Sequence, residues 1–285
     1  MKMEYGAILR EIRIRKGLSQ KEVYTGIISK SYAIEFEKGK HVMRVDLLIQ
    51  ILERISMEID EFMYVSRGHQ LSNHARYIYD YSRFANTHNI PALYELLENL
   101  PYDDTLMSAV SAAEIRCRIA VLKKMEKTGI YSPKDAPAED KKIILDYLNT
   151  IESWTLQEVQ LYGNTVEFLD DTNQVFLFKR LSKSLELYME YDVGREIFCG
   201  MLVNLISVCF RQQAYTYVDV LITQLQLICT SYKELFYQIT AQFFEGLLKG
   251  VEGDENGMKQ AKRALDILKE TNHTDLAEEL ASLIL

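Results

Sequence analysis

The chain has 285 residues, 48% of them hydrophobic and 26% charged, with 33 Lys and Arg against 41 Asp and Glu for a formal net charge of −8. Its four cysteines, Cys117, Cys199, Cys209 and Cys229, show no C-x-x-C spacing, and its five histidines, His41, His69, His74, His88 and His273, are scattered, which argues against a disulfide framework or a metal site. No glycine-rich phosphate loop, HExxH or G-x-S-x-G sequence marks a catalytic centre, so neither enzyme activity nor a cofactor is expected.

Gly6 to Lys16 places Ile8, Leu9 and Ile12 on one helical stripe, and Gly17 ends the helix. Ser19 followed by Glu22 is a capping box, starting a second helix at Gln20 that runs to about Thr25. A turn over Gly26 to Ile28 leads to a third helix capped by Ser29 and stopped by Gly39. In it Ala33, Ile34 and Phe36 face inward, while Lys30, Ser31, Tyr32 and Glu35 face out. A fourth helix with Val45, Leu48, Ile49 and Leu52 on its stripe, and a fifth from about Glu58 to Tyr64, close a small five-helix bundle. This predicts a helix-turn-helix domain over 1–66, a linker over 67–70 with its hinge at Arg67 to His69, and a larger domain over 71–285.

The larger domain is helical throughout. Leu106, Val110, Ala113, Cys117 and Val121 form one stripe, Met258, Ala261, Leu265 and Leu268 another, and no segment alternates as a strand. YSPKDAPAED, Tyr131 to Asp140, reads as the clearest loop. AQFFEGLLKGVEGDENGMKQAKRALDIL reads as a hairpin in which Gly246 lets two helices approach and Gly253 turns the chain; it resembles a degenerate tetratricopeptide repeat. About five such pairs fit the remaining length. The fold class is all-α, a helix-turn-helix domain followed by an α-solenoid with a concave face. The cysteines lie in apolar helical segments and are expected as buried, reduced thiols. No uninterrupted apolar run reaches the roughly 18 residues of a membrane span, so a soluble, cytoplasmic protein is expected.

Charge is unevenly distributed. Residues 1 to 44 hold ten Lys and Arg and five Asp and Glu, leaving 23 against 36 for the rest: a head of net +5 on a body of net −13. A basic head is what a duplex would meet.

The LSQKE that opens the second helix and the FEKG that closes the third resemble the phage-repressor type of helix-turn-helix. SKSYAIEFEKGK followed by VDLLIQILERISMEIDEF, with LYGNTVEFLDDTNQVFLFKRL and GMKQAKRALDILKE further on, is similar to the Rgg family of Gram-positive transcriptional regulators over nearly the whole chain. In this arrangement the third helix enters the major groove. Lys30, Ser31 and Tyr32 would then meet base edges, Gln20 would hold a phosphate, and Lys38, Lys40 and Arg44 would hold the backbone. Glu35 stands where many relatives have Arg, and could accept from cytosine N4 while repelling phosphate. Tyr32 replaces a smaller polar residue. Glu37 matches a signature Glu that pairs with an Arg of the first helix, here Arg10 or Arg13, and is read as structural.

The resemblance also implies that the concave face holds a short, mostly hydrophobic signalling peptide. Inward Asn residues could satisfy an extended backbone, so Asn164 and Asn204 are the first candidates, with Tyr162 and Arg180 beside them. Glu167, replacing a frequent Arg, would favour a peptide carrying a basic group or free amine. Any of these could equally be a satisfied core or surface polar group. A homodimer joined through Ser231 to Leu285 would set two reader helices roughly 34 Å apart on an inverted repeat. The alternative is a peptide- or protein-binding helical scaffold that does not bind DNA; a helical-repeat enzyme ranks last. Activator and repressor are not distinguished.

Overall fold

The computed structural model describes residues 5–100 and 105–284, and every regular element among them is a helix. The chain divides into two compact units, Met1–Asp80 and Tyr81–Leu285.

The first unit contains α1 (Tyr5–Arg15), α2 (Gln20–Tyr24), α3 (Lys30–Glu37), α4 (Val45–Arg54) and α5 (Ile59–Ser66). Gly17 and Gly39, at φ +71° and +74°, take the left-handed conformation that terminates α1 and α3. Leu9, Tyr24, Ala33, Phe36, Ile51, Leu52 and Phe62 are each at most 2% exposed and form the core. At Gly6 an added Cβ would lie 1.7 Å from the Phe36 carbonyl oxygen, so α1 and α3 pack backbone to backbone. Two inward assignments shift. Ile34 is only half-buried. The buried stripe of α4 is Leu48, Ile51 and Leu52, whereas Val45 is 63% and Ile49 38% exposed; α4 packs on α2 and α5 through a face rotated about the helix axis toward Ile51 and away from Val45 and Ile49.

α6 (Asn73–Asn86) spans the division, and α7 (Ile90–Glu98), α8 (Leu106–Thr128), α9 (Ala138–Thr150), α10 (Leu156–Thr165), α11 (Asp171–Leu181), α12 (Asp192–Arg211), α13 (Val218–Ile228), α14 (Leu235–Val251), α15 (Glu255–Glu270) and α16 (Thr274–Ala281) follow. Neighbouring helices pack in sequence, α7 on α8, α8 on α9, α10 on α12, then α12 through α16 in chain order, as stacked helix pairs do. On α8, Val110, Ala113, Cys117 and Val121 are fully buried, while Leu106 in the first turn is exposed. The Tyr131 to Asp140 loop is shorter than the sequence suggests: Pro133–Asp135 form a 3-10 turn, and Ala138 to Asp140 already belong to α9. α12 is, by length and composition, long and apolar enough to cross a membrane. Phe198, Cys199, Leu202 and Ile206 nevertheless bury it in the core of the unit.

Candidate functional site

In the first unit the capping box forms as drawn: the Glu22 amide donates to Ser19 Oγ at 3.2 Å and the Ser19 amide to the Glu22 carboxylate at 2.6 Å. Gly26, at φ +84°, makes the turn, and Ser29 Oγ accepts from the Tyr32 amide at 3.2 Å to start α3. Arg54 of α4 donates to the Thr25 carbonyl at 2.6 Å, bracing the turn from outside; nothing in the local sequence signals this contact.

α3 is anchored from its inner side by Ala33 and Phe36 and by Glu37, which is 4% exposed. Glu37 accepts from Arg13 Nε and Nη2 (2.6 and 2.9 Å), Gln20 Nε2 (2.8 Å) and the Tyr24 hydroxyl (2.7 Å). Burial alone would raise the Glu37 pKa, but these donors together hold it below the ordinary carboxylate value. Arg13 is therefore the partner of Glu37, while Arg10 is exposed and lines a cleft with Gln20, Ile34, Glu37 and Lys38. One N–H of the Gln20 amide is given to Glu37, which leaves the second N–H and the backbone at the start of α2 to meet a phosphate.

The outer face is less uniform than the sequence implies. Lys30 and Ser31 are exposed at the start of α3. Tyr32 lies half-buried against the following loop, stacked on His41 at 5.3 Å and donating to the Val42 carbonyl at 3.0 Å. Glu35 is bridged by Lys40 at 2.7 Å and Lys38 at 3.1 Å, which lowers its pKa. Arg44 makes a two-pronged contact with Asp46 at 2.8 and 3.1 Å. In this state Glu35 and Asp46 thus occupy all three cations expected to hold the DNA backbone.

Residues 94–282, most of the second unit, match the family model described as the C-terminal domain of the HTH-type transcriptional regulator Rgg. A solved structure of a protein from Listeria monocytogenes EGD-e, assigned as a transcriptional regulator, is 33% identical, with 99% of this chain and 96% of that one covered and a TM-score of 0.88. The chain belongs to the Rgg family. Its fold is also shared, at 19% identity and a TM-score of 0.77 over 98% of this chain and 97% of the other, by the SHP pheromone receptor Rgg2 of Streptococcus dysgalactiae. PrgX in complex with cCF10 shares it at 13% identity and a TM-score of 0.72, over 98% of each chain.

In this Rgg protein the second unit gathers some of the expected peptide residues and separates others. Asn164 donates to Glu114 at 2.9 Å, and Asn204 donates to the Gly163 carbonyl at 3.0 Å, so α8, α10 and α12 are laced together by the two asparagines. Each amide has spent a donor and keeps its oxygen. Glu167 pairs with Arg118 at 2.7 Å and accepts from the Tyr131 hydroxyl at 2.8 Å. Its negative charge is already matched, so it does not sit open for a peptide amine. Arg118 also donates to Tyr131 at 2.5 Å, and its guanidinium lies 5.3 Å from the Phe168 ring centre. Arg211 of α12 covers the Tyr131 ring at 5.5 Å and reaches Glu279 of α16 at 3.1 Å. Sequence reading missed Glu114, Arg118, Tyr131 and Arg211; the available signal was Glu114 and Arg118, charged residues four apart inside an apolar helix. Two candidates lie elsewhere. Tyr162 is fully buried, donating to the Gln174 carbonyl at 2.9 Å. Arg180 is turned to the end of α9, where it donates to the Asn149 carbonyl at 3.1 Å and to that of Ile151. Each side chain is thus committed to backbone carbonyls. Among the described residues no group of His, Cys, Asp and Glu is placed to hold a metal ion.

Proposed function

We propose that this Rgg protein is a cytoplasmic, homodimeric, sequence-specific DNA-binding regulator whose activity is set by a short hydrophobic peptide held on the inner face of the second unit. The observation that carries the DNA reading is the state of α3: capped, locked from behind by Phe36 and the Glu37 donor set, and presenting Lys30 and Ser31 to solvent at the end that enters a major groove. Lys30 is the base reader, able to donate to guanine O6 and N7, with Ser31 beside it. Tyr32 orients the following loop and closes the reading surface. Lys38, Lys40 and Arg44 exchange their carboxylate partners for phosphates on docking, a swap of exposed ion pairs that costs little.

The peptide reading rests on family membership, on a fold shared with pheromone receptors, and on a polar strip formed by Arg118 of α8, Asn164 of α10 and Asn204 of α12, with Glu167 in the 3-10 turn just after α10. The asparagine oxygens would accept peptide N–H groups. Dimerisation is assigned to the segment from Ser231 to Leu285, whose last residue lies outside those described.

The test is a mobility-shift titration on duplex from the upstream region of this gene, at fixed salt. Lys30→Ala combined with Ser31→Ala is expected to weaken specific binding by roughly 1–3 kcal/mol per lost base contact, with the helical content unchanged. Equal affinity and equal sequence preference in the double variant would remove α3 as the reader; no retention of any duplex at low salt by the unaltered protein would favour the scaffold reading.

A further inference from the structure

Cys199 and Cys229 are 30 positions apart in sequence, yet their sulfurs lie 3.9 Å from each other, one on α12 and one at the C-terminal end of α13. Both are buried, at 0% and 7% exposed, so the contact is fixed by the packing of α12 on α13 rather than by mobile surface chain. The other two cysteines are alone: Cys117 lies in the apolar interior of α8, and Cys209 is half-buried on α12. A disulfide has its sulfurs about 2.05 Å apart, so the pair must close by about 2 Å, a distance within reach of side-chain rotation.

We propose that Cys199 and Cys229 form an oxidation site of this protein, in which a hydroperoxide converts the two thiols into a disulfide that ties α12 to the end of α13. The Cys229 sulfur attacks the terminal oxygen of the hydroperoxide: an S–O bond forms, the O–O bond breaks, and the alcohol or water leaves with the proton. The Cys199 sulfur then attacks the sulfenic sulfur of Cys229, the S–S bond forms, the S–O bond breaks, and hydroxide takes up the Cys199 proton and leaves as water. Two thiols and one hydroperoxide give one disulfide, one alcohol or water, and one water. The order of attack follows from the environment. The contact between the two sulfurs can run either way, and when Cys199 is the donor it favours the Cys229 thiolate; Cys229 is also the less buried of the two, so it is the sulfur a hydroperoxide reaches first. Burial pushes the other thiols up, Cys117 to about 12 and Cys209 to about 11, and neither has a second sulfur to resolve a sulfenic acid. Because α12 also carries Asn204 and Arg211, the bridge would fasten one wall of the inner surface.

The test exposes the full chain to hydrogen peroxide, quenches with an alkylating agent under denaturing conditions, and maps all four cysteines by mass spectrometry without reduction. The expected result is loss of two hydrogen atoms in the intact mass, a peptide pair joined through Cys199 and Cys229, and full alkylation of Cys117 and Cys209. In Cys199→Ser the reaction should stop at a Cys229 sulfenic acid that dimedone traps, and should yield no bridge. Oxidation of Cys117 or Cys209 at the same rate as the pair, or conversion of Cys229 to sulfinic acid in the unaltered protein while Cys199 stays alkylatable, would overturn the proposal. The unaltered chain decides the matter even if the variant does not fold, and the outcome is independent of whether a peptide binds.

Discussion

At the scale of single residues, Glu37 is the position where most local structure converges. One carboxylate joins α1 through Arg13, the start and end of α2 through Gln20 and Tyr24, and α3 on which it sits. Removing it leaves Arg13 buried without its counter-charge, so Glu37→Ala should destabilise the first unit by about 3–5 kcal/mol, measured as a lowered denaturant midpoint. The carboxyl protonates at lower pH when folded than when unfolded. Its bonds therefore contribute fully above the ordinary value of 4.5 and are lost as the pH falls through the lower folded value. Acid titration of stability followed by first-unit signals should be flatter in Glu37→Gln than in the unaltered protein as the pH falls from 4.5 to the folded value; parallel curves would show that the donors do not act on this group. Glu37 was legible because its residue type recurs in a family signature, whereas which arginine meets it was not. Arg10 and Arg13 lie three apart on one helix, and only the close approach of α1 and α3 at Gly6 selects between them. The partners of Tyr162 and Arg180 were not legible for a related reason. A polar side chain in an apolar helix can point to a ligand or to a neighbouring carbonyl, and sequence carries no information about which carbonyls are left bare at the end of α9.

At the scale of elements, helix identity and most ends were readable because glycines and caps act locally: Gly17, Gly39 and Gly253 take positive φ where the chain was expected to stop or turn. Faces were less readable. The α4 stripe is rotated toward Ile51 because burial depends on where α2 and α5 meet it, a tertiary fact. The hairpin of α14 and α15 shows the same division between local and tertiary control. Its turn follows from Gly253, but its closeness follows from Gly246, where a Cβ would meet the Gly257 carbonyl oxygen and the Ala261 nitrogen, both at 2.6 Å. These are backbone atoms and cannot rotate away, so Gly246→Ala must push the helices apart. The expected cost is about 1–3 kcal/mol, with a fall in Tm of several degrees in a thermal melt. An unchanged melt would mean that the pair is looser than 2.6 Å implies.

At the scale of the whole molecule, charge asymmetry decides how DNA binding responds to salt. Residues 1 to 44 carry net +5 and the rest net −13, so attraction to phosphate comes from a few exposed cations while the remainder is repelled at long range. At 0.1 M salt charges are screened beyond about 10 Å, which weakens the repulsion and leaves the short-range contacts in control. If Lys38, Lys40 and Arg44 each meet one phosphate in the proposed dimer, it would make about six contacts, and the logarithm of affinity should fall against the logarithm of salt with a slope of about −5. Lys40→Ala deletes one contact in each protomer and should reduce that slope by about 2, without changing which sequence is preferred, because a backbone contact positions the helix and does not read bases. Anisotropy titrations between 50 and 200 mM salt measure both quantities. A Lys40→Ala slope equal to that of the unaltered protein would mean that Glu35 keeps this lysine in the bound state, and that the contact belongs to the loop rather than to the DNA.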